Sequence, residues 1–347
     1  MSNNIIAYSI LDLAIVSQGT TLQQTFNHSL ALAQAAESVG YKRYWLAEHH
    51  NSVAIGSSAT SILIGKIAEG TKSIRVGSGG IMLPNHSPLI IAEQFGTLGI
   101  LYPNRIDLGI GRAPGTDQLT AQAIRPDFFQ AAQSFPLEIE KIQRYFSTDN
   151  ADAKVRATLA EGVNVPLYIL GSSTDSAHLA SKKGLPYAFA SHFATTHLPK
   201  ALEIYHGEFQ PSKVLEKPYT MAGVNIIVAE TDEEAERIST SLYKMIIGLL
   251  TGNRGFMQAP TEMTDELREL TYNPSVQQML RYSFIGSKET VKIQVKKFIE
   301  DTQVDELIAV TNIYDGQARI RSYQLFAEIM KELNAERTLK EFNRANL

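Results

Sequence analysis

The run Trp45-Leu46-Ala47-Glu48-His49-His50 sets a carboxylate beside two imidazoles, groups able to hold or move a proton near neutral pH. An acid next to two histidines also invites a metal reading. The helical His-Glu-x-x-His spacing of a zinc site is absent, however. Adjacent side chains on a strand point to opposite faces, so both histidines do not reach one ion, and no metal site is expected. The run therefore predicts one catalytic or ligand-contacting histidine, with a buried histidine bonded to Glu48 as the competing structural reading.

Four further segments carry polar groups at positions where a strand ends. In Arg75–Pro84 three glycines interrupt a β-rich run, as happens where a backbone bends or a flat ligand comes close. Arg105–Asp117 is glycine-lined and delivers Arg112, which suits an anion, phosphate first; an ion pair with Asp117 or Glu93 is the equal alternative. The spacing there is not Gly-x-Gly-x-x-Gly, so a dinucleotide fold is not indicated. Gly171-Ser172-Ser173 precedes a helix and offers free N–H groups and hydroxyls to the same anion. Ala190-Ser191-His192-Phe193 brings a fourth candidate, with His192 as proton donor, pocket wall or packed side chain. His28, His86, His178, His197 and His206 fall on helices or their caps and read as structural.

These segments need a scaffold that gathers strand ends. Strands are expected at 5–11, 43–48, 74–82, 106–109, 167–170, 187–190, 224–229 and 306–311, several as continuous apolar runs of the kind parallel strands show. Helices fill the gaps: Leu22, Phe26, Leu30, Ala33 and Ala36 recur every three or four residues, with Thr20 or Thr21 as cap and Gly40 as stop. Ser87-Pro88, Arg125-Pro126-Asp127, Thr231-Asp232 and Gly286-Ser287 open further helices. Eight strand–helix pairs predict an α/β fold, a (β/α)8 TIM barrel occupying 1–347 as one domain. Two stretches read as insertions, 147–165 and 251–285, the second as a mobile flap or a packed excursion. A long charged amphipathic helix is expected over 317–347.

Composition narrows the function. The 347 residues are 44% hydrophobic and 20% charged, with 32 basic against 36 acidic side chains, so there is no basic field for nucleic acid or an anionic membrane. With no cysteine, thiol nucleophiles, thiolate metal sites and iron–sulfur clusters are excluded. No apolar run approaches the ~20 residues of a membrane span, and no basic residue precedes Lys42, so a cytoplasmic protein is expected.

Taken together, Trp45–His50, Arg75–Pro84 with Pro88 and Glu93-Gln94-Phe95, Pro103–Asp117, Gly171–Ser176 with Gly184-Leu185-Pro186, and Gly286–Val291 resemble the bacterial luciferase-like family of flavin-dependent monooxygenases, its alkanal-monooxygenase-like subgroup. The resemblance implies a (β/α) barrel with insertions. It implies that Ser78-Gly79-Gly80 lies under the flavin ring with a cis Gly79–Gly80 bond, that Arg112 and Gly171–Ser173 bind the FMN phosphate, and that His49 does acid–base work. His192 is the second candidate catalytic residue. Reduced FMN would come from a separate flavin reductase. Dioxygen would form a flavin 4a-peroxide, which would attack a small apolar substrate such as an aldehyde. A homodimer through the second and third helices is also implied. The family's cysteine before the phosphate arginine is Gly111 here, and its second phosphate arginine falls near Gln122, with Arg125 as a substitute. Light emission is therefore not implied. Deazaflavin-dependent hydride transfer and flavin binding without turnover are the alternatives.

Overall fold

The alternation of β-rich and amphipathic runs closes, in a computed structural model that describes residues 5–345, into a barrel of parallel strands wrapped by helices. In chain order the elements are β1 (Ala7–Asp12), α1 (Leu22–Val39), β2 (Arg43–Leu46), α2 (Thr60–Glu69), β3 (Arg75–Met82), α3 (Pro88–Leu101) and β4 (Ile106–Gly111). The fourth crossover holds α4 (Gln118–Ile124), α5 (Phe128–Gln133) and α6 (Phe135–Phe146). Then follow β5 (Leu167–Gly171), α7 (Thr174–Lys183), β6 (Tyr187–Phe189), α8 (Leu198–Glu208), β7 (Thr220–Ala229) and α9 (Asp232–Thr251). The chain ends with α10 (Asp265–Thr271), α11 (Pro274–Leu280), β8 (Ser283–Ser287), α12 (Lys288–Thr302), β9 (Glu306–Val310) and α13 (Gly316–Ala345).

Strands β1 to β7 and β9 close the barrel, with β9 between β7 and β1 and β6 paired to β7. These are the eight strands expected from sequence. The ninth, β8, was not expected; it pairs only with the far half of β7, from Asn225 to Ala229. Its sequence, Ser-Phe-Ile-Gly-Ser, is too short and too weakly apolar to announce a strand. The second insertion is therefore partly regular, with α10 and α11 inside it and β8 beginning at its end. It is also pinned: Met257 accepts from the Gln18 N–H at 2.8 Å and donates its own N–H to Val16 at 3.0 Å. The first insertion carries one 3-10 turn and presses Ala157 and Ala160 on Ala92 of α3.

Local signals explain the helix ends. Thr21 and Gln24 form a capping box at α1, and Gly40 stops it in the left-handed region at φ 92°. Arg125-Pro126-Asp127 opens only the short α5, since α4 and a third helix, α6, share that crossover. The tail helix α13 buries Tyr323, Phe326, Ile329, Met330 and Leu333 on the barrel, and Lys288, Lys292 and Lys296 of α12 ladder with its Glu328, Glu332 and Glu336. Positions 346 and 347 of the expected tail lie outside the described residues.

Strand parity decides what faces the barrel axis. On β2, Tyr44 and Leu46 join the main core against the helices, whereas Trp45 and Ala47 join the inner cluster with Leu11, Tyr168, Met221 and Ile308. Below that cluster, at the strand starts, the axis is closed by charge. Arg43 is buried and bonds Glu306 at 2.7 and 3.1 Å, Asp107 at 2.7 Å and the Tyr168 hydroxyl at 2.7 Å. With the lower barrel filled, the C-terminal mouth is the open end of the axis.

Candidate active site

The parity that turns Trp45 inward continues past the end of β2. Glu48 is buried, and the same alternation turns His49 to the side of Trp45, where it acts on His192. Glu48 gathers three loops. Its Oε1 accepts from His50 Nε2 at 2.8 Å, His86 Nε2 at 2.9 Å and Asn85 Nδ2 at 3.2 Å, and its Oε2 from the Met82 N–H at 3.0 Å. Asn85 also donates to the Pro114 carbonyl at 2.9 Å, and the His50 N–H to Gly115 at 3.2 Å, which ties in the loop after β4. Of the pair, then, His50 is the one bonded to Glu48. His86, read as structural, belongs to the same cluster.

Burial opposes the Glu48 charge, but the bonds from His50, His86 and Met82 outweigh it and hold its carboxyl at about 2. A carboxyl lowered on folding adds stability above its ordinary value near 4.5, and that contribution is lost as pH falls toward 2. Glu48→Gln is therefore expected to cost on the order of 3 kcal/mol at neutral pH, with the difference from wild type shrinking through that acid window. Urea unfolding at several pH values checks this; a pH-independent difference would show that the Glu48 charge is not what binds the loops.

His49 and His192 meet across the mouth. In both rings Nδ1 is buried without a partner, whereas Nε2 is not sealed and has no partner among the described residues. Each ring thus offers one nitrogen to the mouth. Burial lowers the His49 imidazole below its ordinary value; Glu48 opposes the shift and His50 adds to it. Burial, then the neighbouring His49, lowers His192 to about 3. Phe193 packs edge-on against His192 with ring centroids 4.9 Å apart and is half exposed.

The glycines expected under a flat ligand have a different immediate cause. The Gly79–Gly80 peptide is cis, as the resemblance implied. A Cβ on Gly79 would lie 2.7 Å from Leu11 Cδ1 and 3.1 Å from Trp45, and one on Gly80 would lie 2.7 Å from the Gly109 carbonyl. Neighbouring protein atoms occupy both positions. Ser78 is buried and donates its hydroxyl to Gly109 O at 2.8 Å, so that group is already engaged within the barrel wall. Further up β4, a Cβ on Gly111 would meet nothing nearer than Met82 Sδ at 3.4 Å, so that stretch of wall has room.

Arg112 and the Gly171–Ser173 turn come together, though not through the partners first considered. Arg112 pairs with neither Asp117 nor Glu93 but with Asp175, in the first turn of α7, at 3.2 Å. The two side chains are 52% and 67% exposed, so the pair is weak and readily exchanged. Asp117 instead caps α4, its carboxyl held low chiefly by Thr120. Ser173, the N-cap of α7, makes no side-chain cap bond, and the Ser172 and Ser173 hydroxyls have no partner among the described residues. A Cβ on Gly171 would overlap Ser176 Oγ, which explains the glycine at this turn. An uncapped helix N-terminus, two free hydroxyls and an exposed guanidinium make a fitting cradle for a phosphate. Arg125 bonds the His86 carbonyl at 2.9 Å and Asp127 at 3.0 Å, and so is engaged away from this cradle.

Comparison with known proteins follows the same lines. Residues 7–306 match the family described as luciferase-like monooxygenase. The chain is 44% identical to a luciferase-like monooxygenase of Escherichia coli (strain K12), covering 96% of this chain and 99% of the relative. It is 31% identical to the N-acetyl-S-alkylcysteine monooxygenase of Bacillus subtilis (strain 168), covering 93% and 98%. Among solved structures, apo-MsnO8 superposes with TM-score 0.85 at 33% identity, over 94% of this chain and 98% of that one. Two more distant structures share the fold. One is the oxygenating constituent of 3,6-diketocamphane monooxygenase from Pseudomonas putida, in complex with FMN (18% identity, TM-score 0.70, 94% and 98% covered). The other is an F420-dependent secondary alcohol dehydrogenase (15%, 0.67, 92% and 97%).

Proposed function

Because the chain belongs to the luciferase-like monooxygenase family, we propose that it is an FMN-dependent monooxygenase acting on a small, largely apolar organic substrate such as an aldehyde. The observation that carries this reading is the phosphate cradle of Arg112, Ser172, Ser173 and the α7 N-terminus, beside the open wall at Gly111 of β4. When bound there, the flavin supplies the activation of dioxygen. The chain supplies the rest. Arg112 and the α7 N–H groups hold the phosphate, and Gly111 leaves room on the wall beside it. His49 holds or moves a proton at Nε2, and Phe193 lends an apolar wall. No Gly-x-Gly-x-x-Gly motif accompanies the barrel, which supports reduced FMN arriving from a separate reductase.

FMN is favoured over a deazaflavin because relatives at 44% and 31% identity are named monooxygenases, whereas the F420-dependent dehydrogenase shares the fold at only 15%. A homodimer through α2 and α3 is supported by exposed Ile62, Ile90 and Leu101 on those helices.

Titration of the protein with oxidised and reduced FMN tests the reading. Arg112→Ala is expected to weaken FMN about 10- to 150-fold, the range of one charge-assisted hydrogen bond of about 1.5–3 kcal/mol. Riboflavin, which lacks the phosphate, should be indifferent to the substitution. Unchanged FMN affinity in Arg112→Ala would displace the phosphate site, and no FMN binding in either redox state would put the deazaflavin reading first.

A further inference from the structure

His192 is held by its neighbours on β7 more tightly than its place in a loop would suggest. A Cβ on Gly223 would lie 2.5 Å from His192 Nδ1 and 3.4 Å from Cγ and Cε1, so the ring rests flush on a strand position that only glycine leaves open. Two hydrogen bonds clamp the backbone on either side. Asn225 Nδ2 donates to the His192 carbonyl at 2.6 Å, and the buried Ser191 hydroxyl donates to the Gly223 carbonyl at 2.7 Å. Gly223 and Asn225 share the inward parity of Met221, so the slot opens on the barrel axis.

The consequence is chemical. Nδ1 is sealed against β7 with no partner, while Nε2 stays open to the mouth. An imidazolium needs both N–H groups satisfied, which a sealed Nδ1 does not allow. Of the two neutral tautomers, the one that buries a bare lone pair at Nδ1 costs less than the one that buries an orphaned N–H donor. We propose that Gly223, with Ser191 and Asn225, fixes His192 as a neutral imidazole carrying its proton on Nε2, a hydrogen-bond donor aimed at a carbonyl-class oxygen of the substrate. The inference rests on the reading of the mouth as the reaction site, and assigns His192 to substrate recognition rather than to proton transfer. The burial that lowers the ring to about 3 agrees with it, and His49 is the titratable group acting on the ring.

Nuclear magnetic resonance of the full chain with 15N-labelled histidine, recorded without flavin, tests this directly, with His192→Gln identifying the signals. The expected result is a protonated Nε2 and a bare Nδ1, unchanged over about pH 5 to 8, the range in which an ordinary histidine titrates. Decanal should shift the Nε2 proton signal and decane should not. In Gly223→Ala the added methyl displaces the ring, which should begin to titrate and lose its response to decanal. Should that variant fail to fold, Asn225→Ala, which frees the His192 carbonyl, should loosen the same ring. Titration of His192 in the wild type, a proton on Nδ1, no response to decanal, or a response equal to that with decane overturns the proposal; so does a variant spectrum identical to wild type. The FMN titration is a separate readout, so failure of the cofactor reading and failure of this one are told apart.

Discussion

Replacing His49 with alanine is expected to slow reoxidation of bound reduced FMN in the presence of decanal by about 10²- to 10⁴-fold, the usual contribution of a positioned acid or base. FMN affinity should stay within about threefold, since the phosphate is held on the other side of the mouth by Arg112 and α7. The argument is geometric first. His49 Nδ1 is sealed and only Nε2 meets the mouth, so a proton enters or leaves the ring at one atom. Unlike His192, whose charged form no neighbour favours, His49 has the buried Glu48 carboxylate beside it to support a transient positive charge. Burial, with His50, places its titration below the ordinary histidine value against the pull of Glu48, so the ring is neutral and basic at physiological pH. The acid limb of the rate profile should accordingly fall below about pH 6.5. Stopped-flow reoxidation across pH measures both quantities. A wild-type rate in His49→Ala would take His49 out of the reaction.

Arg43→Met is expected to destabilise the fold by about 3–5 kcal/mol, the cost of removing one partner from a buried ion network. Arg43 is 2% exposed, and its partners Asp107 and Glu306 are fully buried. Asp107 would keep Arg75, with Nε at 2.9 Å, and Trp45 Nε1 at 3.1 Å. Glu306 would keep the Ser9 hydroxyl, Tyr219 at 2.6 Å and the more distant Lys42 at 3.5 Å, but lose the two bonds from its nearest cation at the barrel axis. The sign with pH follows. In the wild type the Glu306 carboxyl is lowered, burial being outweighed by Arg43 and Lys42, so it adds stability above the carboxylate range. In the variant the largest offset to burial is gone and the carboxyl rises, which costs stability at neutral pH and less as it protonates. The difference between the two proteins should therefore narrow on acidification. Urea unfolding at pH 7 and pH 5 measures it, and a loss under 1 kcal/mol would mean that the network is a filler rather than a support.

The sequence alone determined the barrel, since β-rich runs and capped amphipathic helices in strict alternation leave few other parallel arrangements. Thr21, Gly40, Ser87-Pro88 and Thr231 carry their helix boundaries in local chemistry, which needs no tertiary partner. Strand β8 was not legible, because a five-residue strand with two apolar side chains exists only where β7 outruns β6 and offers it an edge. The candidate histidines could be found by their place at strand ends, but not sorted. Parity sends His49 inward only because Trp45 and Ala47 already face the axis, and Glu48 takes His50 only because β3 brings Met82, Asn85 and His86 to its other side. Arg112 looked equally suited to an anion or to Asp117; its placement beside Asp175 and the uncapped α7 came from the β4–β5 register, which no local signal encodes. The Arg43–Asp107–Glu306 network lay wholly outside sequence reasoning. Its members come from strands β2, β4 and β9, up to 263 positions apart, and only closure of the barrel makes them neighbours. Gly223 is the same case in miniature: a lone glycine in a strand says that something comes close, and only the folded barrel says that it is His192.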